Sequence, residues 1–353
     1  MTKRHYGIFV LLLFCFGFGI TEVGKEYHFP EMFMFPEIPK ADYAVTNEGV
    51  ALGRYLFYDT ILSSNYSMSC GSCHQQKFAF SDGASRFSRG ANGVLQRRNT
   101  LPLFNLAWQA SFFWDGRAKS IEEQVFHPIT DSNELNLSVK VVLARLNASQ
   151  FYRNQFERVF GSGPIDSAMV VVAIAQFERT LLSYRSKFDS AIKGKVALSE
   201  DELRGFVLMN DMTKGDCLHC HTTDSDPVGS TFEFSNNGLD IVNEPEKYPD
   251  GGRGAITGRT VDNGRFKIPS VRNLKFTAPY MHDGRFETLE EVLQFYSTGV
   301  KMSAGIDSKM GFAHKGGAHL TQKEQECIIA FLNAMSDSAF TTDSSFSNPF
   351  RRK

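Results

Sequence analysis

Apolar residues recur at helical spacing in several stretches of the chain. Residues 48–57 and the run Ser167–Ser183 show this pattern, which predicts helices with a buried face. A Ser/Thr-x-x-Glu pattern begins a helix, because its two side chains satisfy backbone N–H groups that the first turn leaves unpaired. That pattern predicts four helix starts, at Ser120, Ser199, Thr288 and Thr321. The helix that starts at Thr321 is expected to run through Met335.

Polar and glycine-rich segments separate the predicted helices. Residues 233–267 are rich in Gly, Asp and Asn and predict a long loop. Residues 189–198 are expected to form the boundary between two halves, and the Ser-, Thr- and Phe-rich tail from Ser336 is expected to be mobile. The predicted fold class is therefore mainly α, with long loops and little β structure.

The N-terminus has the pattern of an export signal. Basic residues 3–5 precede the apolar run 7–20, and small residues at 17 and 19 suit a signal peptidase. We expect residues 1–19 to be removed and the mature chain to be periplasmic. A lipid anchor on Cys15 and an uncleaved membrane anchor are the alternatives.

Composition narrows the class of protein. The 353 residues allow about two domains, and 42% apolar against 22% charged residues supports a sizeable core. The 38 basic and 39 acidic residues nearly cancel, which argues against a nucleic-acid partner. The chain lacks the uninterrupted run of about 18 apolar residues that an internal membrane-spanning helix needs.

Two Cys-x-x-Cys-His motifs are the main chemical signal. This is the attachment signature of c-type haem: two thiols add across the haem vinyl groups, and the adjacent His gives its imidazole to iron. Zinc is the alternative, but the two pairs lie far beyond the usual spacing of zinc ligands. We predict two covalent haem c groups, held by Cys70, Cys73, His74, Cys217, Cys220 and His221.

The repeat extends beyond the cysteines. Arg98-Asn99 parallels Arg272-Asn273, and the Asp-Gly-Arg turn at 115–117 parallels that at 283–285, each followed by a helix start. Each half therefore has the order haem motif, loop, turn and helix. This order indicates an internal duplication, with a longer period than solenoid repeats show. We place the two haem domains at residues 27–190 and 195–340.

The strings around these motifs resemble the bacterial di-haem cytochrome c peroxidases. They run from Arg98-Asn99 through residues 113–124 to Glu134, and again over residues 267–284. With both haem motifs, the resemblance covers roughly residues 45–335. The same family includes MauG, which uses the scaffold to oxidise a protein substrate. The resemblance implies two cytochrome c-like helical domains with one haem each and a calcium ion between them.

The resemblance also implies roles for individual residues. Glu134 matches the acid–base position that moves a proton between the oxygens of hydrogen peroxide, and Gln124 matches the amide that holds the peroxide. Trp114 matches an aromatic residue between the haems. The alternatives are a solvated loop charge, an exposed helix amide and a packed core Trp. The residues that match the calcium ligands are Asn99, Thr277 and Pro279.

The sixth ligand of each iron decides its chemistry. Many family members carry a distal His in the loop after the first haem motif, but no His follows His74 there. We therefore expect an open first iron, with His127 as the nearby alternative. At the second haem, Tyr296 stands where many of these peroxidases have Met, as in the MauG-like branch. Met281 and Met302 are the rival ligands.

These features favour a peroxidase that reduces hydrogen peroxide to water. A small periplasmic cytochrome c or cupredoxin would donate electrons at the C-terminal haem. The alternatives are MauG-like oxidation of a partner protein and a non-catalytic electron carrier, which would need both irons six-coordinate. The oligomeric state stays open, a homodimer included. Cys327 lies in an apolar helical stretch and is expected to be a buried, inert thiol.

Overall fold

The structure, a computed structural model, describes residues 24–222 and 228–350. It is mainly helical, which confirms the predicted fold class. The helices are α1 (Asn47–Tyr58), α2 (Cys70–Cys73), α3 (Ile121–Thr130), α4 (Val139–Ala148), α5 (Gln150–Phe160), α6 (Ser167–Arg179), α7 (Lys187–Ile192), α8 (Glu200–Asn210), α9 (Gly254–Thr257), α10 (Leu289–Gln294) and α11 (Gln322–Ala334). A π-helical turn covers Phe295–Gly299. The strands β1 (Phe234–Ser235) and β2 (Phe266–Lys267) form a short antiparallel pair.

The predicted export signal, residues 1–19, lies outside the described residues. Within the described ranges, no helix is both long and apolar enough to cross a membrane. Short 3₁₀ turns lie at Thr60–Leu62, Gln76–Phe78, Leu106–Trp108, Cys217–His219, Pro245–Lys247, Thr260–Asp262, Leu274–Phe276, Ala313–Lys315 and Ser344–Phe346.

The predicted capping residues begin their helices. Ser199, Thr288 and Thr321 each accept the N–H of a glutamate three positions on, whose carboxylate bonds back to the capping residue. At Ser120 only the first of these bonds forms, because the Glu123 carboxylate accepts from the N–H of Lys119 instead. The helix predicted from Ser167 is confirmed but ends at Arg179, four residues early.

Each half is organised around two packed helices with a glycine between them. In the first half α1 packs along α6, and in the second α8 packs along α11. A Cβ atom on Gly53 would collide with the carbonyl of Ala173, and one on Gly205 would collide with that of Cys327. Only glycine permits backbones to approach so closely. Cys327 is fully buried, as predicted.

The two halves meet at a buried polar contact, the Ser183 joint. Asn105 accepts the Ser183 N–H (2.9 Å) and donates to its carbonyl (3.1 Å), while the amide of Asn273 donates to the Ser183 hydroxyl (2.9 Å). Both asparagines have left-handed backbone and begin a 3₁₀ turn. Asn105 is therefore the structural counterpart of Asn273, and the sequence match of Asn99 with Asn273 is out of register.

A buried ion pair lies beside this joint. Asp189 of α7 accepts two hydrogen bonds from the guanidinium of Arg272, at 2.9 and 2.5 Å. Both residues are almost completely buried. The segment that links the halves therefore begins with a tightly packed helix, α7. Removing one partner of such a pair leaves the other charge uncompensated.

The tail after α11 is packed, so the prediction of a mobile tail was wrong. Phe340 is fully buried and Phe346 nearly so, and the Phe340 ring lies 5.5 Å from that of Phe80. Arg54 of α1 donates to the carbonyl of Ser347 at 2.6 Å. The Ser and Thr content suggested solvent exposure, but the phenylalanines complete the aromatic core of the first half.

Replacing Phe340 by Ala should lower the free energy of unfolding by about 3–5 kcal/mol, because a buried ring is lost and a cavity remains. Replacing Phe33, which is 52% exposed, by Ala should change the free energy of unfolding by no more than about 0.5 kcal/mol. Equilibrium urea unfolding of the haem-loaded protein measures both variants. Equally small effects would show that the tail is not part of the core.

Candidate functional site

The first haem motif forms a single helical turn at the wall of a cavity. The N–H of His74 donates to the carbonyl of Cys70 at 2.9 Å, which closes the turn α2. Gly71 must lack a side chain, because a Cβ there would collide with the ring of Tyr58. The turn brings Cys70, Cys73 and His74 to one cavity of about 990 Å³, which is lined from both halves of the chain.

His74 is held in the state that an iron ligand needs. Its Nδ1 lies 2.8 Å from the carbonyl oxygen of Phe80. Because a carbonyl only accepts, Nδ1 carries the proton and Nε2 keeps its lone pair. Burial lowers the pKa of His74, so the ring is neutral at neutral pH and can bind a metal through Nε2.

The loop after α3 brings Glu134 to the same cavity. The N–H of Ala91 donates to the Glu134 carbonyl at 2.7 Å. Gly90 packs so closely against this loop that a Cβ atom would collide with the carbonyl oxygen of Asn133. A neighbouring loop with glycine at the contact point therefore fixes where the Glu134 carboxyl lies.

The surroundings of Glu134 favour its neutral form. Burial raises the pKa of Glu134 to about 7, with Asp131 adding to the shift and Arg117 opposing it. The Arg117 guanidinium lies 3.5 Å over the ring of Phe113, which holds it in place. A carboxyl with this pKa can both accept and release a proton near neutral pH.

Helix α3 presents Gln124 to the cavity but not His127. Gln124 and Pro128, one turn apart on the same face, both line the cavity. His127 is exposed and packs edge-on against Phe113, with ring centroids 5.3 Å apart. The helix geometry therefore argues against His127 as an iron ligand.

Glu178, near the end of α6, is a cavity residue that the sequence interpretation missed. It lines the cavity and is 4% exposed, and its Oε2 has no hydrogen-bond partner among the described residues. Burial raises the pKa of Glu178 to about 8, and Glu122 adds to the shift. A neutral carboxylic acid therefore forms part of the wall. The only signal in the sequence was a glutamate that ends an apolar helical run.

The second haem motif also closes a turn onto its histidine, but this turn is 3₁₀ rather than α-helical. Cys217 begins a 3₁₀ turn, and the N–H of His221 donates to its carbonyl at 2.9 Å. Burial lowers the pKa of His221 to about 4, against the opposing effect of two backbone carbonyls. This imidazole is therefore also neutral and suited to an iron.

Each motif places a pair of half-buried thiols at its turn. Within the described ranges, no three His, Cys, Asp or Glu side chains gather as a metal-binding group. Burial raises the pKa values of Cys73 and Cys217 to about 12, so an uncompensated thiolate is disfavoured there. Haem attachment consumes the thiols as thioethers and leaves no charge to bury.

The π-helical turn places Tyr296 beside the second haem motif; such turns are frequent at functional sites. The amide of Asn237 donates to the Tyr296 hydroxyl at 3.0 Å and contacts the sulfur of Met281 at 3.7 Å. Burial raises the pKa of Tyr296 to about 12; Asn237 opposes this and the two motif cysteines add to it. Tyr296 and Met281 thus lie together, whereas Met302 is 61% exposed and poorly placed for ligation.

Aromatic rings connect the two halves at the cavity. Trp114 is buried and donates its indole N–H to the carbonyl of Asn99 at 2.8 Å. Its ring lies 6.4 Å from His282, which stacks on Phe266 at 3.6 Å. Trp114 and His282 precede the two Asp-Gly-Arg turns, so they occupy equivalent positions. The sequence interpretation did not single out His282, although the repeat could have indicated it.

Asn99, a predicted calcium ligand, lies at the same junction. Its backbone N–H donates to the carbonyl of His282 at 2.8 Å, and its amide nitrogen donates to that of Arg86 at 3.1 Å. The amide oxygen is therefore the atom that Asn99 could offer to an ion. The other two predicted ligands, Thr277 and Pro279, are both buried. The calcium ion itself stays a prediction.

Comparisons with known proteins point to one family. A family model described as di-haem cytochrome c peroxidase matches residues 47–197. The chain is 38% identical to the methylamine utilization protein MauG of Methylorubrum extorquens over 301 residues, covering 84% of this chain and 80% of that protein. It is 35% identical to the cytochrome c551 peroxidase of Nitrosomonas europaea over 256 residues, covering 71% and 74%.

Solved structures agree with the sequence relatives. A MauG-like protein associated with microbial copper homeostasis matches with a TM-score of 0.83 and 31% identity, covering 92% of this chain and 100% of that chain. The di-haem peroxidase BthA from Burkholderia thailandensis matches with a TM-score of 0.71 and 21% identity, covering 92% and 98%. At that lower identity the likeness shows the fold alone.

Replacing Gly90 by Ala should displace the loop that carries Glu134, because the new methyl group collides with the Asn133 carbonyl. We expect the free energy of unfolding to fall by about 1–3 kcal/mol. The pKa of Glu134 should fall from about 7 towards its ordinary range, because displacement hydrates the carboxyl. Urea unfolding and an infrared carboxyl titration measure the two effects.

The matched control is Gly311→Ala, since a Cβ at Gly311 meets nothing within 4 Å. Its stability should change by no more than about 0.5 kcal/mol. An unchanged Glu134 pKa in the Gly90 variant would contradict the role given to this contact.

Proposed function

The chain belongs to the di-haem cytochrome c peroxidase family, and from this we propose that it reduces hydrogen peroxide to water in the N-terminal cavity. One observation carries the proposal: the imidazole of His74, the amide of Gln124 and the half-buried carboxyl of Glu134 line one cavity. Electrons enter at the C-terminal haem from a small periplasmic cytochrome c or cupredoxin.

The residues present fit two covalent haem groups. Each motif supplies two thiols and one neutral imidazole on a closed turn, and the N-terminal motif opens onto a cavity of about 990 Å³. A haem in each position supplies an iron that exchanges single electrons. The side chains around each iron determine whether peroxide can reach it.

The helix after each Asp-Gly-Arg turn supports one open and one filled iron. Counted from the capping residues Ser120 and Thr288, Pro128 in the first half stands where Tyr296 stands in the second. A phenol can bind iron, whereas a proline side chain offers no donor atom. The duplication thus gives a ligand to the C-terminal site and leaves the N-terminal site for peroxide.

Glu134 moves the proton that peroxide reduction requires. As a carboxylate it accepts a proton from one peroxide oxygen, and as the acid it gives that proton to the other oxygen, which leaves as water. The oxygen that remains becomes the second water with two electrons from the donor protein and two protons from solvent. Its pKa near 7 keeps both transfers accessible. The Gln124 amide has a donor and an acceptor and orients the peroxide beside Glu134.

Trp114 and His282 carry electrons between the two sites. Their rings lie 6.4 Å apart in a packed contact between the halves, and delocalised π-systems at that junction shorten the gap an electron must cross. The indole N–H bond to Asn99 keeps the Trp114 ring in this orientation.

A second candidate function is MauG-like oxidation of a partner protein. Two observations favour it: Tyr296 lies beside the second haem motif, and the chain is 38% identical to a MauG protein. A phenolate ligand favours ferric iron, whereas a Met ligand raises the potential. Steady-state turnover of peroxide with a reduced small cytochrome c separates the two, since only the peroxidase consumes that donor continuously.

Three further parts of the proposal come, in order, from the internal repeat, the N-terminal signal pattern and the family resemblance. They are the haem domains at residues 27–190 and 195–340, the periplasmic location, and a calcium ion on Asn99, Thr277 and Pro279. Oxygen ligands suit calcium, and an ion beside Asn99 would fasten the halves near Trp114. Chelation of the purified protein, followed by calcium titration of its peroxide reaction, tests the ion.

Spectroscopy of the ferric protein tests the open N-terminal iron. We expect one high-spin and one low-spin haem in the EPR spectrum, and a prompt reaction with one equivalent of peroxide before any reduction. An open iron needs no ligand to leave first. Two low-spin irons that do not react with peroxide would instead indicate an electron carrier.

The rate of reaction with peroxide should rise as the pH increases through about 7, the pKa of Glu134, because only the carboxylate accepts a proton. Glu134→Gln should lower the rate by about 100-fold or more and remove this pH dependence, with both haems retained. Stopped-flow absorption measures the rate. The exposed Glu157 provides a control, Glu157→Gln, with unchanged kinetics; a normal rate in Glu134→Gln would refute the assignment.

Tyr296→Phe should change the low-spin EPR signal of the C-terminal haem and raise its potential, because the phenol oxygen no longer reaches the iron. Met281→Leu, at the neighbouring side chain that shares Asn237, should leave the signal unchanged. The reverse pattern would identify Met281 as the ligand.

A further inference from the structure

Lys267 is a buried cation that makes no ion pair with any described carboxylate. The residue is 4% exposed. Its Nζ donates to the side-chain oxygen of Gln109 at 2.6 Å and to the carbonyl of Ser111 at 3.2 Å, and it lies 5.7 Å from the ring centroid of Phe112. These partners are neutral, so they leave one ammonium proton and the whole positive charge uncompensated.

The less exposed arginines of the cavity wall are already paired with carboxylates. Arg98 binds Asp115 and Asp250, Arg117 binds Asp115, and Arg285 binds Asp240 and Asp283, whereas Arg89 and Arg97 are exposed to solvent. Burial lowers the pKa of Lys267 to about 7, and Asp115 opposes this only from a distance. Burial therefore destabilises the charged form of Lys267, and the described protein groups do not offset this with a nearby opposite charge.

The position of Lys267 shows what could compensate its charge. It lines the cavity onto which Cys70, Cys73 and His74 open. A c-type haem carries two propionate carboxylates, on the edge of the ring away from the vinyl groups that the thiols consume. We propose that Lys267 binds a propionate of the N-terminal haem as an ammonium–carboxylate ion pair. This inference depends on a haem in the cavity and does not depend on peroxide reduction.

The contact would cross between the two halves of the chain. Lys267 belongs to β2 in the second half, whereas Gln109 and Ser111 belong to the first. Its backbone N–H donates to the carbonyl of Trp114 at 2.8 Å, and the adjacent Phe266 carries the stacked ring of His282. An ion pair at Lys267 therefore ties the edge of the haem to the residues between the two irons.

The test is the reduction potential of each haem in the intact di-haem protein, measured by spectroelectrochemical titration. Lys267→Met removes the charge with little change in length. The N-terminal haem should become harder to reduce, because a nearby cation disfavours the additional positive charge of ferric iron. We expect its reduction equilibrium constant to fall by roughly tenfold, or about 59 mV for one electron. The propionate bands in the resonance Raman spectrum should shift as well.

Lys267→Arg keeps the charge, so the potential of its N-terminal haem should stay close to the wild-type value. Lys323→Met is the control: Lys323 is exposed and pairs with Asp201 at 2.9 Å, so both potentials should stay as in the wild type. If Lys267→Met fails to retain its haem, Lys267→Gln takes its place in the comparison with Lys267→Arg. Equal N-terminal potentials in the Gln and Arg variants would overturn the ion pair.

Unchanged potential and propionate bands in Lys267→Met, with both haems present, would also overturn it. That result together with normal peroxide turnover would leave the proposed function intact. If Lys267→Met lowers the N-terminal potential but the wild-type protein does not turn over peroxide, the ion pair is supported and the peroxidase assignment is refuted.

Discussion

The Ser183 joint sets the relation between the two halves, and the functional residues depend on that relation. Asn105 and Asn273 reach the same residue from equivalent 3₁₀ turns, one bonding its backbone and the other its hydroxyl. Each such hydrogen bond contributes only about 0.5–1.5 kcal/mol, but leaving a buried amide unpaired costs about 1–3 kcal/mol. The joint therefore specifies one arrangement of the halves more strongly than it stabilises the fold, and in that arrangement Trp114 meets His282.

Reciprocal contacts extend this relation outward. Arg253 of the second half donates to the carbonyls of Asp115 and Gly116 in the first, and Arg86 of the first half donates to the carbonyl of Asp283 in the second. The two Asp-Gly-Arg turns thus each receive an arginine from the opposite half. Equivalent turns of the duplicated unit are therefore held by the same kind of contact, an arginine that donates to a turn carbonyl.

The proposed function requires the two halves to carry different side chains at positions where their backbones have the same conformation. Phe113 and Met281 occupy equivalent positions with the same left-handed backbone. Phe113 packs against His127 and under Arg117, whereas Met281 shares Asn237 with Tyr296. The same backbone position therefore packs against a histidine and an arginine in the first half and lies beside Tyr296, the proposed iron ligand, in the second. Under the proposed function, side-chain changes on a common backbone separate the two chemistries.

Local signals in the sequence predicted the haem motifs, the capped helix starts and the duplication, because each depends on residues within a few positions of one another. They failed where burial comes from distant segments. The tail from Ser336 has the composition of a solvated segment, yet Phe340 closes the core of the first half. Lys267 and Glu178 were overlooked for the same reason: nothing near them in the chain shows that they face one cavity.

That shared burial shapes the electrostatics of the cavity. Burial raises the pKa values of Glu134 and Glu178 to about 7 and 8 and lowers that of Lys267 to about 7. Each shift has the same cause, since a low-dielectric wall disfavours every charged form, whichever its sign. An anionic carboxylate at Lys267 would restore the ammonium there, while Glu134 and Glu178, which form no ion pair within the described residues, would keep their affinity for a proton. The cavity would then hold a fixed cation to bind its cofactor and exchangeable protons to serve its substrate.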